Sequence, residues 1–279
     1  MLLFKQIIPT TVLVLLLSVG TGYGAATDFP LYTVDEAITA KKGNPRTIYV
    51  DTRREEEFQT VRIPSSINIP IHFIKTKSYL KNMDIILLNQ GYSLSQLQRE
   101  GELLKDKGFR VMILAGGIAA WHQEGQRLEG DRFAMHALHH ISAAELLSEA
   151  SSSFVKLSVN ISSASKNNKI LGESLHQAVN GAEDLPKLIN SINSRGLDER
   201  SGVLIFNEKG DYSLLETLPK QCSPTIFFLN GGMEEYQLKA EQHLAMLQPK
   251  EQRIKTFGGC STCPPASDIS DIDKKEETQ

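Results

Sequence analysis

Asp84-Ile85-Ile86-Leu87-Leu88-Asn89-Gln90-Gly91-Tyr92-Ser93-Leu94-Ser95 passes from an apolar run, through a small polar loop, into a helical pattern that begins at Leu94. That order reads as a buried parallel strand, a tight loop and a helix start. In α/β proteins such a junction is where loop amides and helix N–H groups converge on an anion. This junction holds no cysteine, histidine, lysine or arginine, so its chemistry has to be sought without an obvious reactive group.

On the N-terminal side, Thr33-Val34-Asp35-Glu36 is a capping box that opens a helix expected to end near Lys42-Gly43. Thr47 to Val50 is a β-branched strand ending at Asp51, followed by a charged turn from Arg53 to Glu57 and the segment Ile63-Pro64-Ser65-Ser66-Ile67-Asn68-Ile69-Pro70. On the C-terminal side, Gln96 to Lys107 reads as an amphipathic helix closed by Gly108. Val111 to Leu114 is a further strand, stopped by Gly116-Gly117, and the helix that starts at Ile118 ends at Gly125, with Trp121 in the core beneath the double glycine.

The order then repeats. Ser142-Ala143-Ala144-Glu145 is a second capping box, 109 residues after the first. Phe154 to Val159 is a second early strand, and Gly202 to Phe206 repeats the apolar run. Asn207-Glu208-Lys209-Gly210-Asp211-Tyr212-Ser213 repeats the loop. Thr225 to Leu229 leads into Gly231-Gly232, 115 residues after Gly116-Gly117. Strands alternating with helices predict an α/β fold, two domains that are each a parallel sheet flanked by helices. The expected organisation is a signal peptide over 1–26, a first domain over 27–130, a second over 138–250 and a tail over 251–279, with a linker near Gly130 to Leu138.

The 279 residues are 41% apolar with a net charge of −3, and no basic face is visible, so the electrostatic signature of a nucleic-acid binder is missing. Lys5, the apolar Val12 to Val19 and the small-residue Gly20 to Ala26 read as a secretory signal, with cleavage after Gly24 or Ala26. Its apolar core is shorter than the roughly 20 residues that span a bilayer. The expected location is therefore an extracytoplasmic space, a bacterial periplasm, with no membrane association after cleavage. Three cysteines are present. Cys222 reads as a small, partly buried residue. Cys260 and Cys263 form a C-x-x-C pair in the tail, open to a disulfide, a redox or sulfur-carrying role, or metal capture. One such pair supplies two of the four ligands a structural zinc wants. His136, His139 and His140 could align two imidazoles on one helical face, although such clusters are usually solvated surface.

These residues resemble the rhodanese family. Asp51-x-Arg53 with Glu57-Phe58, then Arg62-Ile63-Pro64-Ser65-Ser66-Ile67-Asn68, and Leu114-Ala115-Gly116-Gly117-Ile118-Ala119-Ala120-Trp121 are similar to the family's segments over roughly residues 30 to 130. The second copy is similar at Ala178-Val179-Asn180 and Leu229-Asn230-Gly231-Gly232-Met233-Glu234-Glu235-Tyr236, with Ser158 and Asn160 where Asp and Arg would stand. The family's loop is Cys-x-x-Gly-x-Arg-Ser. Laid on this chain, the resemblance puts Asn89 and Asn207 at the cysteine, Tyr92 and Gly210 at the glycine, Leu94 and Tyr212 at the arginine, and Ser95 and Ser213 at the serine.

Sulfur transfer by that loop needs a thiolate stabilised by converging amides and a cation. An asparagine amide is neutral and is no nucleophile for this step. The resemblance therefore implies two loops without the standard catalytic residue, where the asparagines hold the loop's shape, bind a ligand, or serve an unfamiliar chemistry. The candidate loop-binding residues are Asn89, Gln90, Gly91, Tyr92, Ser93, Ser95, Asn207, Gly210 and Ser213. Neither a cofactor nor a definite metal site is expected, and the partner is a protein or a small anion. The reading is a binding or accessory module linked to sulfur or redox metabolism. A sulfurtransferase or thiol-redox protein using Cys260 and Cys263, and a metal-handling protein, stay open.

Overall fold

The computed structural model describes residues 29–148, 154–161 and 174–247. The segment expected to be a signal peptide and the Cys260/Cys263 pair lie outside the described residues. In chain order the first unit runs β1 (Leu31–Tyr32), α1 (Val34–Gly43), β2 (Thr47–Asp51), α2 (Glu55–Thr60), β3 (Val61–Arg62), β4 (Ile67–Asn68), α3 (Ile71–Ile74), β5 (Asp84–Leu88), α4 (Leu94–Asp106), β6 (Arg110–Leu114), α5 (Gly117–Gln123), β7 (Glu129–Gly130) and α6 (Arg132–His136). The second runs β8 (His140–Ile141), α7 (Ala143–Ser148), β9 (Val155–Val159), β10 (Leu175–Gln177), α8 (Leu185–Asn193), β11 (Gly202–Phe206), β12 (Thr225–Leu229) and α9 (Gly232–Leu247).

Local chemistry sets these limits. Thr33 and Glu36 cap α1 reciprocally: the Thr33 amide donates to the Glu36 carboxylate at 2.8 Å, and the Glu36 amide to Thr33 Oγ1 at 3.3 Å. Ser142 and Glu145 repeat the arrangement ahead of α7. Ile85 to Leu88 and Val203 to Phe206 are buried throughout, as central strands of a parallel sheet covered on both faces must be.

Each unit is a five-stranded parallel sheet. The first has the order β1-β6-β5-β2-β4 and the second, read in the same direction, β8-β12-β11-β9-β10. Strand for strand these are one topology, and the α/β expectation holds in both. β3 and β7 form a separate antiparallel pair. The connection expected as a linker over Gly130 to Leu138 is built: β7 pairs with β3, α6 follows, and Leu138 packs into the first unit's core.

A polar seam joins the units. β8 pairs only with Phe228 and Leu229 of β12. Ahead of that pairing, Gln123 at the end of α5 takes the place of a strand. It accepts from the Ile226 amide at 3.0 Å and donates to the carbonyls of Cys222 and Pro224 at 3.1 and 2.9 Å. Arg200 clamps the other side, with Nη2 2.6 and 2.8 Å from the Glu36 carboxylate and Nε donating to the Leu31 carbonyl. Gln123→Ala would leave one buried N–H and two carbonyls without that partner, so about 3 kcal/mol of stability should be lost, read as a lowered midpoint in urea denaturation.

Candidate functional site

The clefts lie where the two central strands of each sheet end. β2 and β5 finish side by side, with Asp51 paired to Leu88. β9 and β11 do the same, with Ser158 paired to Phe206. Asn89 and Asn207 are the next residues in each case.

Each asparagine is spent on its own loop. The Gly91 amide donates to Asn89 Oδ1 at 2.8 Å, and the Gly210 amide to Asn207 Oδ1 at 2.5 Å. The Asn207 side chain also donates to the Asp211 carbonyl. Behind them, the backbone carbonyl of Asn89 accepts from the Ile118 amide at 3.0 Å and that of Asn207 from Met233 at 2.8 Å. The loops are thus tied to the N-terminal turns of α5 and α9. The second glycine of each double-glycine turn makes this possible: Gly117 and Gly232 have φ of 54° and 60°, and a Cβ on either would sit 2.3 or 2.5 Å from the asparagine carbonyl oxygen.

This geometry corrects the residue pairing drawn from the resemblance. Gly91, not Tyr92, is the counterpart of Gly210. Both have positive φ, both donate to the loop asparagine, and both lie against the second glycine of the turn. Counting from the strand end assumed equal loops, but the first loop is one residue shorter and has no counterpart of Lys209.

In the first unit a cleft of about 290 Å³ is lined by Thr52, Arg53, Arg54, Asn89, Gln90, Tyr92 and Ser93, with Glu145 and Ser148 of the second unit at its side. Arg53 does not offer a spare charge to it. Its guanidinium is buried against Asp51 at 2.7 Å, donates to the Val61 carbonyl at 2.7 Å, and reaches the Gln90 side chain at 3.3 Å. Gln90 in turn donates to the Leu138 carbonyl. Tyr92 crosses the seam: its hydroxyl donates to Glu145 at 2.6 Å and its ring meets Phe227 edge-on at 6.2 Å. Burial works against the Glu145 charge, but hydrogen bonds from Tyr92 and Ser142 outweigh it and hold the carboxyl below its ordinary value. A small anion entering here meets that carboxylate together with Arg54, whose charge also lowers it.

The second cleft, about 300 Å³, is lined by Asn160, Asn207, Glu208, Lys209, Asp211 and Ser213. Asn160 stands at φ 53° and accepts from the Val179 amide. Tyr212 is buried and its hydroxyl donates to the Leu229 carbonyl at 2.6 Å. Ser93 and Gly91 share the first cleft's loop with Asn89, while Leu94 and Ser95 begin α4.

Cys222 is the described cysteine. It is buried just ahead of β12, at the end of the sheet opposite the loops, and burial pushes its thiol up to about 11. The histidines do not gather as the spacing suggested. His136 ends α6, His139 is buried against the Ile226 carbonyl, and His140 sits in β8 bonded to Asn230. The α-helix ends at His136, a 3-10 turn carries the chain to His139 and His140 begins β8, so the three do not share an α-helical face. No group of three His, Cys, Asp or Glu side chains able to hold a metal occurs among the described residues. Sequence reasoning missed Glu145 as a cleft residue because its Ser-x-x-Glu spacing was already accounted for by capping. It performs both tasks, one oxygen for each.

Tyr92→Phe removes one hydrogen bond to a half-buried carboxylate, so a loss of about 1 to 1.5 kcal/mol is expected. The Glu145→Gln/Tyr92→Phe double variant should lose less than the sum of the singles in a thermal-melt cycle, because the two residues share that bond.

Residues 33–124 match the family model of the rhodanese-like domain. No curated protein matches the chain. Among solved structures, a protein from Bacillus halodurans is 31% identical over 36% of this chain and 77% of its own, with a TM-score of 0.32. A rhodanese-like domain from Anabaena sp. is 26% identical over 37% and 80%, also with a TM-score of 0.32. A thiosulfate sulfurtransferase from Pseudomonas aeruginosa is 19% identical over 76% of this chain and 43% of its own, again with a TM-score of 0.32. The chain carries a rhodanese-like domain over residues 33–124.

Proposed function

We propose that this chain is an exported tandem rhodanese-like protein that does not run thiosulfate sulfur transfer at either loop and works as a binding or accessory module, tied to sulfur or redox metabolism by its family. The observation that carries this reading is the pair Asn89 and Asn207. Each stands at the end of the central strand and uses its side-chain oxygen on a glycine amide of its own loop. A persulfide carrier needs a thiolate at that position and needs those amides for the charge. Here the position is neutral and one amide of each loop is already occupied. The repeat of strand order in the second sheet supports the tandem reading, and residues 1–26 support export to a periplasm. The first cleft sets Arg54 beside Glu145, a mixed-charge wall that favours a protein partner over a small anion.

The test is thiosulfate:cyanide sulfur transfer by the purified chain without its first 26 residues. No turnover above the uncatalysed rate is expected from it or from Asn89→Ala. Turnover that vanishes in Cys260→Ser/Cys263→Ser would move the activity to the tail and overturn the accessory reading.

A further inference from the structure

The seam contains a buried imidazole pair that neither cleft uses. His122, on the last turn of α5, meets His139 across a gap of 3.2 Å from Nδ1 to Nε2, with ring centroids 5.4 Å apart. The other nitrogen of His139, Nδ1, lies 2.8 Å from the Ile226 carbonyl oxygen. A carbonyl only accepts, so neutral His139 carries its proton on Nδ1 and its Nε2 is an acceptor; His122 must donate from Nδ1. A relay therefore runs from α5, through His139, to the backbone of β12. His139 is 5% exposed and is flanked by Phe227.

The relay tolerates one added proton: on His122 Nε2, or on His139 with His122 turned acceptor. A second proton sets N–H against N–H and places two charges side by side away from water. The charged and titratable groups facing the pair are His136 from α6, His140 from β8 and Lys220 from the turn before β12, all basic; β12 itself offers the Ile226 carbonyl.

We propose that this relay makes the seam acid-sensitive: protons taken up by His122 and His139 release α5 from β12 while each sheet keeps its own core, uncovering the side of Gly91 and Tyr92 that Phe227 and Glu145 cover. Two observations allow the units to part without unfolding. One core cluster lies wholly within the first unit and another wholly within the second. The cluster beneath the seam takes only Ala119 and Tyr92 from the first unit.

The direction of the effect follows from linkage. Burial pushes His139 down to about 4 and moves His122 down as well. Closed, the seam binds these protons more weakly than solvated imidazoles do. Its closure is therefore fully supported above about 6.5 and weakened as pH falls from there toward 4, by roughly 30-fold at pH 5 for His139 alone. The seam carboxylates stay charged through most of that window. Glu36 is held low by its bond from the Thr33 amide, and the hydrogen bonds on Glu145 outweigh its burial.

The experiment compares the full chain at pH 7.5 and pH 5.0 by small-angle scattering and amide hydrogen exchange, corrected for intrinsic rates. Expected at pH 5.0 are a larger radius of gyration and roughly 30-fold faster exchange at Ile226, whose amide is bonded to Gln123 across the seam, with β5 and β11 still protected. His122→Gln/His139→Gln keeps a donor and an acceptor on each side chain without titrating, and should stay closed. The proposal fails if the wild-type seam is unchanged at pH 5.0, if the double variant opens to the same extent, or if both sheets lose protection together. Should the variant not fold, ring-nitrogen NMR of the wild type decides: protonation of His139 that tracks faster exchange at Ile226 supports the proposal, and protonation of both rings without faster exchange overturns it.

Discussion

A loop carbonyl pressed against a glycine carries the architecture of both clefts. The oxygen of Asn89 lies 2.3 Å from where a Cβ of Gly117 would be, and that of Asn207 2.5 Å from where a Cβ of Gly232 would be. The same oxygens take the first free amides of the helices that follow. Those helix amides would otherwise lack partners, so strand end, loop and helix start are locked by backbone alone. The asparagine side-chain oxygen in each unit takes up a further amide from the loop itself.

The units are more than repeated neighbours. Phe227 of the second lies against Gly91 of the first, and Glu145 binds Tyr92. One side of the first loop is therefore an interior surface of the whole protein, and the second unit helps to shape the first unit's cleft. Among the described residues the second loop is more open: Lys209, Asp211 and Leu214 at its rim are exposed. The duplicated topology thus yields two unlike clefts. The first is walled by a carboxylate from its partner unit. The second mixes Lys209 with Glu208 and Asp211.

Charge follows the same pattern. The guanidinium of Arg53 is consumed by Asp51 and the Val61 carbonyl, an arrangement that fixes the turn after β2 and leaves Arg54 as the arginine facing Glu145 in the cleft. In the second unit Ser158 and Asn160 occupy the matching places, without charge, and Asn160 holds Val179 through its side chain. Both solutions anchor the neighbouring segment, one with a buried ion pair and one with amide hydrogen bonds.

Much of this was legible in the chain itself. The apolar runs ending in asparagine, the two capping boxes and the two double glycines were enough to call for two parallel-sheet units, because each reports a local constraint: burial on both faces, an unpartnered helix amide, a positive φ. The asparagines at the strand ends were visible for the same reason. The equivalence of Gly91 with Gly210 was not, since a one-residue difference in loop length leaves no local trace. Nor was the burial of His139, whose neighbours in sequence read as surface while its partners, His122 and Ile226, come from the two sides of the seam. The sequence by itself determined the elements, the duplication and the absence of a thiol from both loops, because these depend on residues close together in the chain. Only the tertiary structure decided that Gln123 completes the edge of β12, that Glu145 walls the other unit's cleft and that two histidines meet between the units, because those contacts join segments whose approach no local pattern encodes.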